Sequence, residues 1–286
     1  MRPPRKRHPE FDIAIEFEYP QYLREALGDL PCAPGVYVFH GDSEILPLYI
    51  GKSVNIRNRV LSHLRNEEEA RMLRQTTRIS HIRTAGEIGA LLLEASLIKQ
   101  KQPLYNQKLR RTKQLCSWRL TETGAEIAYS KDVNFATQTG LFGLYSSKRA
   151  ALQAMQSLAD QHQLCCGQIG IEKLSPGRPC FRHSLKVCAG ACCGKESTQQ
   201  HYNRLVQGLQ SIQVECWPFP GPVGLVERFE GEYQMHVISQ WCYLGSVSDA
   251  AEAKALAKQA AGFDADGYKI LCRPILGGAA EVIPLW

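Results

Sequence analysis

The stretch 35–65, GVYVFHGDSEILPLYIGKSVNIRNRVLSHLR, decides how the first third of this chain folds. Residues 35–40 (GVYVFH) are β-branched and aromatic and predict a short strand. GDSEILP supplies a turn, and 48–50 predicts a second strand, so the two form a hairpin. Beyond Gly51 the apolar period lengthens. In 54–65, Ile56, Val60, Leu61 and Leu64 recur at helical spacing and leave Arg57, Arg59 and His63 to other faces. Residues 78–84 (RISHIRT) alternate like a third strand, and 86–100 (GEIGALLLEASLIKQ) predict an apolar, buried helix stopped before Pro103. The order β-β-α-β-α describes a small mixed α+β domain ending near residue 110.

A length of 286 residues is enough for about two domains, each with its own core. The formal net charge of +6 is unevenly placed: residues 51–113 hold 14 basic against 5 acidic side chains, a net +9, whereas 114–286 hold 15 of each. Such a patch suits a polyanion such as nucleic acid better than a membrane. No run approaches the roughly 18 to 20 apolar residues of a spanning helix. The N-terminal MRPPRKRHPEFD has basic residues without an apolar stretch behind them, so it reads as a basic arm of a cytoplasmic protein and not as a secretory signal.

After KLRRTK (108–113), residues 115–120 and 125–130 predict strands, 147–163 a helix capped by Ser146 or Ser147, and 197–211 another helix. From 221 onward GLVERF, YQMHVISQWCYLG and YKILCRP alternate as strands, with an alanine-rich helix at 249–261 between them, giving a small α+β unit without a chemical signature. The expected organisation is an arm at 1–30, the mixed domain at 31–112, a cysteine-bearing region at 113–215 and a C-terminal unit at 216–286. Six of the eleven cysteines fall within 29 residues: Cys165, Cys166, Cys180, Cys188, Cys192 and Cys193. In a reducing compartment, thiols clustered on a Pro- and Gly-rich segment are the donor set for Zn²⁺ or an iron–sulfur cluster. Cys32, Cys116, Cys216, Cys242 and Cys272 are scattered and read as small apolar side chains.

The hairpin carries Gly35-Val36-Tyr37 and Tyr49-Ile50-Gly51, followed by Lys52, by Arg59 and His63 four apart, by Glu94 on the buried helix, and by Asn106 after Pro103 and Tyr105. This ordered set resembles the GIY-YIG nuclease domain. The wording PGVYVF, LYIGKSVNIRNRV and LLLEASLIKQKQPLYN is similar to the N-terminal domain of the UvrC family, over about residues 31–110. The cysteine segment extends the likeness, since Pro179-Cys180, seven residues, Cys188, three residues and Cys192 follow that family's spacing.

The resemblance implies a metal-dependent endonuclease with Tyr37, Tyr49, Lys52, Arg59, His63, Glu94 and Asn106 as catalytic-site residues. Glu94 would hold one Mg²⁺ or Mn²⁺ and Arg59 the scissile phosphate. Tyr49 or Tyr37 would take a proton from the attacking water, and Lys52 would stabilise phosphate charge or depress a tyrosine pKa. His63 departs from the tyrosine common at its position, yet it too can donate to a phosphate oxygen or accept a proton. Arg57, Arg65, Lys101, Lys108, Arg110 and Arg111 are expected on the DNA backbone. The family's cysteine segment binds a [4Fe–4S] cluster, implying Cys180, Cys188 and Cys192 as ligands, with Cys166, or Cys165 in its place, as the fourth, Cys193 as a spectator and Zn²⁺ as the alternative. The chain shows no second nuclease domain, so it is similar to a short stand-alone homologue. That relation implies a monomer that incises damaged double-stranded DNA on the 3′ side of a lesion, with UvrB as partner after loading by UvrA. A catalytically silent DNA-binding scaffold and a restriction or mobile-element nuclease are the alternatives.

Overall fold

The structure, a computed structural model, describes residues 21–110, 114–122, 124–174 and 178–286. Arg111 and the first twenty residues of the expected arm lie outside the described residues. The chain divides into two compact units, one ending at Arg110 and one beginning at Arg111.

The first unit runs α1 (Gln21–Glu25), β1 (Gly35–His40), β2 (Tyr49–Ser53), α2 (Ile56–Leu64), α3 (Ala70–Gln75), β3 (Arg78–Arg83) and α4 (Glu87–Lys101). The predicted β-β-α-β-α order is present, with α3 added between α2 and β3. The strands form an antiparallel sheet in the order β2-β1-β3. Helix α2 begins where the sequence supplies a cap: the Asn55 side chain accepts the Asn58 N–H at 3.0 Å. Helix α4 stops at Gln102, whose left-handed backbone precedes Pro103.

Strand β1 is buried on both faces. Tyr37 and Phe39 pack against Ile56, Val60 and Leu64 of α2 and Met72 and Leu73 of α3, while Val36 and Val38 pack with Ile50 and with Ile98 of α4. Each such aliphatic side chain contributes about 1.5–3 kcal/mol by leaving water, so the central strand is fixed from both sides. Across from Tyr37 stands Gly51, where an added Cβ would lie 2.2 Å from Tyr37 Oη. The glycine of the second strand thus makes room for the tyrosine of the first.

The second unit comprises β4 (Cys116–Thr121), β5 (Gly124–Tyr129), β6 (Leu141–Tyr145), α5 (Lys148–Gln161), α6 (Cys166–Ile169), α7 (Phe181–Ser184), α8 (Thr198–Leu209), β7 (Val223–Phe229), β8 (Glu232–Ser239), β9 (Cys242–Val247), α9 (Ala250–Leu256), α10 (Ala265–Leu276) and β10 (Glu281–Pro284). Its sheets have the orders β5-β4-β6 and β10-β7-β8-β9. Ser147, not Ser146, caps α5 by accepting the Ala150 N–H at 3.2 Å.

One expectation for this unit is corrected. YKILCRP (268–274), read as a strand, lies inside α10: Asp264 caps the helix, and Gly267, Leu271 and Ile275 recur every fourth residue as its buried line. Over seven residues a strand-like alternation and a helical stripe coincide, and the cap outside the window decides between them. Strand β6 escaped the sequence pattern and completes a sheet over which Ala151, Met155 and Ala159 of α5 pack with Trp118, Phe142, Leu205 and Leu209. The residues expected as separate 113–215 and 216–286 regions share a core here. Leu115, Ala128, Phe135, Leu141 and Val214 are packed by Phe263, Ala265 and Tyr268. Among the described residues, no helix is long and apolar enough to cross a membrane.

Candidate active site

Strand β2 is an edge of its sheet, and its outward backbone groups meet side chains instead of a further strand. At Ile50, Asn106 Oδ1 accepts the N–H at 2.9 Å while its Nδ2 donates to the carbonyl at 2.9 Å. At Lys52, Glu94 Oε1 accepts the N–H at 3.1 Å. Glu94 reaches that edge from the middle of α4. Burial holds its carboxyl above the ordinary carboxylate range, opposed by the Lys52 N–H and by the charges of Lys52 and Arg59. A half-buried carboxylate is suited to a hard divalent cation, which would offset the cost of its partial burial. Lys52 Nζ is itself bound to Glu87 Oε1 at 2.6 Å, at the start of α4, so its charge is shared with a carboxylate that the sequence did not single out.

On the sheet face towards α2 the expected aromatic residues converge. Tyr37, 1% exposed, places its hydroxyl 2.7 Å from His63 Nε2. The Arg59 guanidinium and the Tyr49 phenol both act electrostatically on the same hydroxyl. Rings of Tyr37, Tyr49 and Phe39 surround the His63 imidazole with centroids 5.3, 5.4 and 5.4 Å away. His63 Nδ1 is hydrogen-bonded to Glu69 Oε2. Neither imidazole nitrogen is therefore left for the phosphate contact that the sequence allowed. Burial raises the pKa of Tyr37, with Tyr49 adding to it, and raises that of Tyr49, with Glu94 adding to it. Burial also depresses His63, against the upward pull of Glu69. Of the two phenols, Tyr49 is the partly exposed one.

The basic residues expected on DNA separate into two groups. Arg57 donates from Nε to the Leu30 carbonyl at 2.7 Å and from Nη2 to the Gly28 carbonyl at 3.0 Å, so it anchors the chain ahead of β1 instead of standing free for phosphate. Arg110 binds the Gln102 carbonyl at 3.1 Å and is likewise tied to its own unit. Arg65, Lys101 and Lys108 are exposed, and Arg111 lies outside the described residues.

In the second unit the sulfurs of Cys165, Cys180, Cys188 and Cys192 all lie within 4.8 Å of one another, and none is in a disulfide. The fourth member is thus Cys165. Cys166, expected in that place, faces the other way into the core with Trp118, Met155 and Leu205, and burial pushes its thiol up to about 11. Consecutive residues at the start of α6 point in different directions, which makes the choice a structural one. Cys165 N–H donates to buried His201 Nε2 at 2.9 Å, and His183 Nδ1 bonds the Cys188 carbonyl at 2.9 Å; His201 was not singled out in the sequence. The loop turns at Gly190, whose φ of 99° and close approach to Lys195 Cβ (2.8 Å from an added Cβ) exclude a side chain. Gly190 N–H points at Cys188 Sγ (3.4 Å) and Cys180 N–H at Cys192 Sγ (3.3 Å). Converging thiols with N–H donors on their sulfurs fit a soft metal or an iron–sulfur cluster.

Three family models match the chain: the UvrC-like GIY-YIG domain over residues 33–107, the UvrC/Cho excinuclease middle domain over 106–211, and the excinuclease Cho C-terminal domain over 222–286. Excinuclease Cho of Shigella flexneri is 56% identical over 276 residues, covering 96% of this chain and 94% of that protein. UvrABC system protein C of Caldicellulosiruptor saccharolyticus is 31% identical over 191 residues, which is 65% of this chain and 32% of that protein. Among solved structures, the GIY-YIG N-terminal endonuclease domain of UvrC from Thermotoga maritima, bound to its catalytic magnesium, is 34% identical, with a TM-score of 0.28 over 30% of this chain and 98% of that one.

Proposed function

The chain belongs to the Cho family of excinucleases and is a metal-dependent DNA endonuclease of the GIY-YIG type, and from that premise we propose that it nicks damaged duplex DNA on the 3′ side of a lesion once UvrA and UvrB have located it. The observation that carries this reading is the seat of Glu94, with one carboxylate oxygen on the Lys52 N–H, at the strand that bears Tyr49.

Glu94 would hold a single Mg²⁺ or Mn²⁺, which when bound supplies Lewis-acid stabilisation of charge on the reacting phosphate and leaving oxygen. The exposed guanidinium of Arg59 has five donors suited to the scissile phosphate. Tyr49, the more accessible phenol, orients the attacking water and takes its proton. Tyr37 lies behind it and passes hydrogen-bonding to His63. Asn106 fixes the backbone of Ile50 beside Tyr49 and so acts by positioning. Lys52 sets the Glu94 carboxylate through its N–H, and its ammonium lies at the mouth of the site with Glu87. Arg65, Lys101 and Lys108 contribute sequence-independent attraction to the DNA backbone.

Cys165, Cys180, Cys188 and Cys192 would hold a [4Fe–4S] cluster, with Zn²⁺ as the alternative occupant of the same thiols. Such a group would tie the helix at 166–169, whose Cys166 and Ile169 are anchored in the core, to the helix at 181–184, which buries no residue.

The test is an incision assay on a duplex with one bulky adduct, with and without UvrA and UvrB, in Mg²⁺. A nick 3′ to the adduct that requires UvrB supports the reading. Partner-free cutting of undamaged DNA at a fixed sequence assigns the chain to another pathway, and no cutting under any condition assigns it a binding role.

A further inference from the structure

We propose that Glu69 is a positioning residue of the nuclease site, acting on Tyr37 through His63; this deepens, and rests on, the nuclease reading above. His63 is 3% exposed and has both nitrogens engaged, Nε2 with Tyr37 Oη at 2.7 Å and Nδ1 with Glu69 Oε2. Glu69 is held in turn, because its Oε1 accepts from Asn66 Nδ2 at 3.1 Å, and Asn66 caps the 3₁₀ turn Glu67–Glu69 through the Glu68 N–H.

The directions of these bonds follow from what each group can do. A carboxylate only accepts, so His63 Nδ1 carries the hydrogen, and in the neutral imidazole Nε2 then presents a lone pair. The single hydroxyl hydrogen of Tyr37 therefore points at Nε2. With its hydrogen so committed, Tyr37 Oη presents only lone pairs to its other neighbours, an arrangement that the positive charge of Arg59 favours. One carboxylate outside the site thus sets the sense of the series Tyr37 to His63 to Glu69. The groups that face His63 are Tyr37 on β1, Tyr49 on β2, Glu69 on the following turn, and Arg59 on its own helix, with Phe39 closing the apolar side. Among these only Glu69 specifies the Nδ1–H tautomer. Without it the imidazole is free to put its hydrogen on Nε2, turning Tyr37 and reversing the series.

The experiment has two arms. In single-turnover nicking of adduct DNA preloaded with UvrB, Glu69→Ala lowers the rate by about tenfold to a hundredfold, the loss expected of a misplaced reacting group, while Glu69→Gln, whose amide oxygen still accepts from Nδ1–H, retains most of it. In a His63→Tyr background there is no imidazole to orient, so Glu69→Ala costs nothing further. An equal loss in both backgrounds, or no loss in either, overturns the proposal. The second arm needs no activity: two-bond ¹H–¹⁵N correlation spectra read the His63 tautomer in the intact protein near pH 7.5. The Nδ1–H form in the wild type, replaced by Nε2–H or a mixture in Glu69→Ala, supports the proposal. A wild-type Nε2–H form, or an imidazolium, overturns it. If the wild-type protein fails to nick at all, the nuclease reading fails by itself and the spectra still decide the role of Glu69.

Discussion

Asn106 and Ile50, 56 residues apart, exchange two hydrogen bonds of 2.9 Å each, the side-chain amide standing where the backbone of a fourth strand would stand. Two residues along, Glu94 continues the same edge at the Lys52 N–H. The edge of β2 is thereby sealed against further strand pairing by the residues expected to work in the site, and the active-site geometry and the strand's termination are the same contacts.

Asn106→Ala leaves the Ile50 N–H and carbonyl without their partner in a buried place, at a cost of about 1–3 kcal/mol. The midpoint of urea unfolding moves down accordingly, and nicking falls with it because Tyr49 follows Ile50. Asn106→Asp keeps the acceptor but sets a carboxylate oxygen against the Ile50 carbonyl, so it recovers less than half of the loss.

Glu94→Gln keeps an oxygen for the Lys52 N–H and preserves the fold, yet removes the charge that would hold the cation. Nicking is expected to drop by about a thousandfold or more, since a catalytic cation supplies several kcal/mol. Raising the Mg²⁺ concentration does not restore it. Unchanged unfolding midpoints alongside lost activity separate this effect from instability.

Cys165 and Cys166 differ in kind although they are neighbours. After anaerobic reconstitution, Cys165→Ser loses its iron and sulfide or, if zinc is the occupant, its zinc. Cys166→Ala retains the metal in full and loses only packing, about 1–2 kcal/mol of stability for a small buried side chain. Metal analysis of the two variants, side by side, gives the answer.

The pH dependence follows from the buried histidines. His63, His40 and His201 are each held below the ordinary 6.5, burial being the main cause. Each binds its proton less readily folded than unfolded, so stability is lost as pH falls from 6.5 towards the folded values. Glu94, held above its ordinary 4.5, works in the opposite sense and recovers some stability as pH falls further. Unfolding midpoints measured from pH 7.5 to 5.5 should decline, and His63→Tyr should flatten part of that decline.

Arg57→Ala destabilises the first unit, because two backbone carbonyls lose their donor, and leaves the salt dependence of DNA binding unchanged. Arg65→Ala, Lys101→Ala and Lys108→Ala leave stability alone, and each lowers the slope of log affinity against log salt by about 0.9 wherever it contacts phosphate. Binding titrations at several salt concentrations distinguish the two classes.

The first unit was legible because its periods are clean. Alternation in 35–40, helical spacing in 56–64 and an apolar run closed by Pro103 each match the element observed. What sequence alone did not reveal is mostly a matter of direction. Glu69 sits in a run of three glutamates that looks like a solvated face, and only the turn after α2 brings it under His63. The roles of Cys165 and Cys166 depend on which thiol faces the loop and which the core. Arg57 differs from Arg65 only in having carbonyls within reach. The tail misled for a local reason, since 268–274 satisfies both periods and Asp264, outside that window, settles it as a helix.

The common core of the second unit bears on how such chains are assembled in evolution. The family models part between residues 211 and 222, as though the cysteine region and the tail were interchangeable modules. Yet Phe135, fully buried, packs against Phe263, the Trp241 indole donates to the Glu215 carbonyl at 3.2 Å, and the Glu215 N–H donates to Tyr268 Oη at 3.0 Å. A recombination event at that boundary would strip the lid from Phe135, Leu141 and Val214. A chimaera that exchanges one part must therefore bring matching aromatic partners with it.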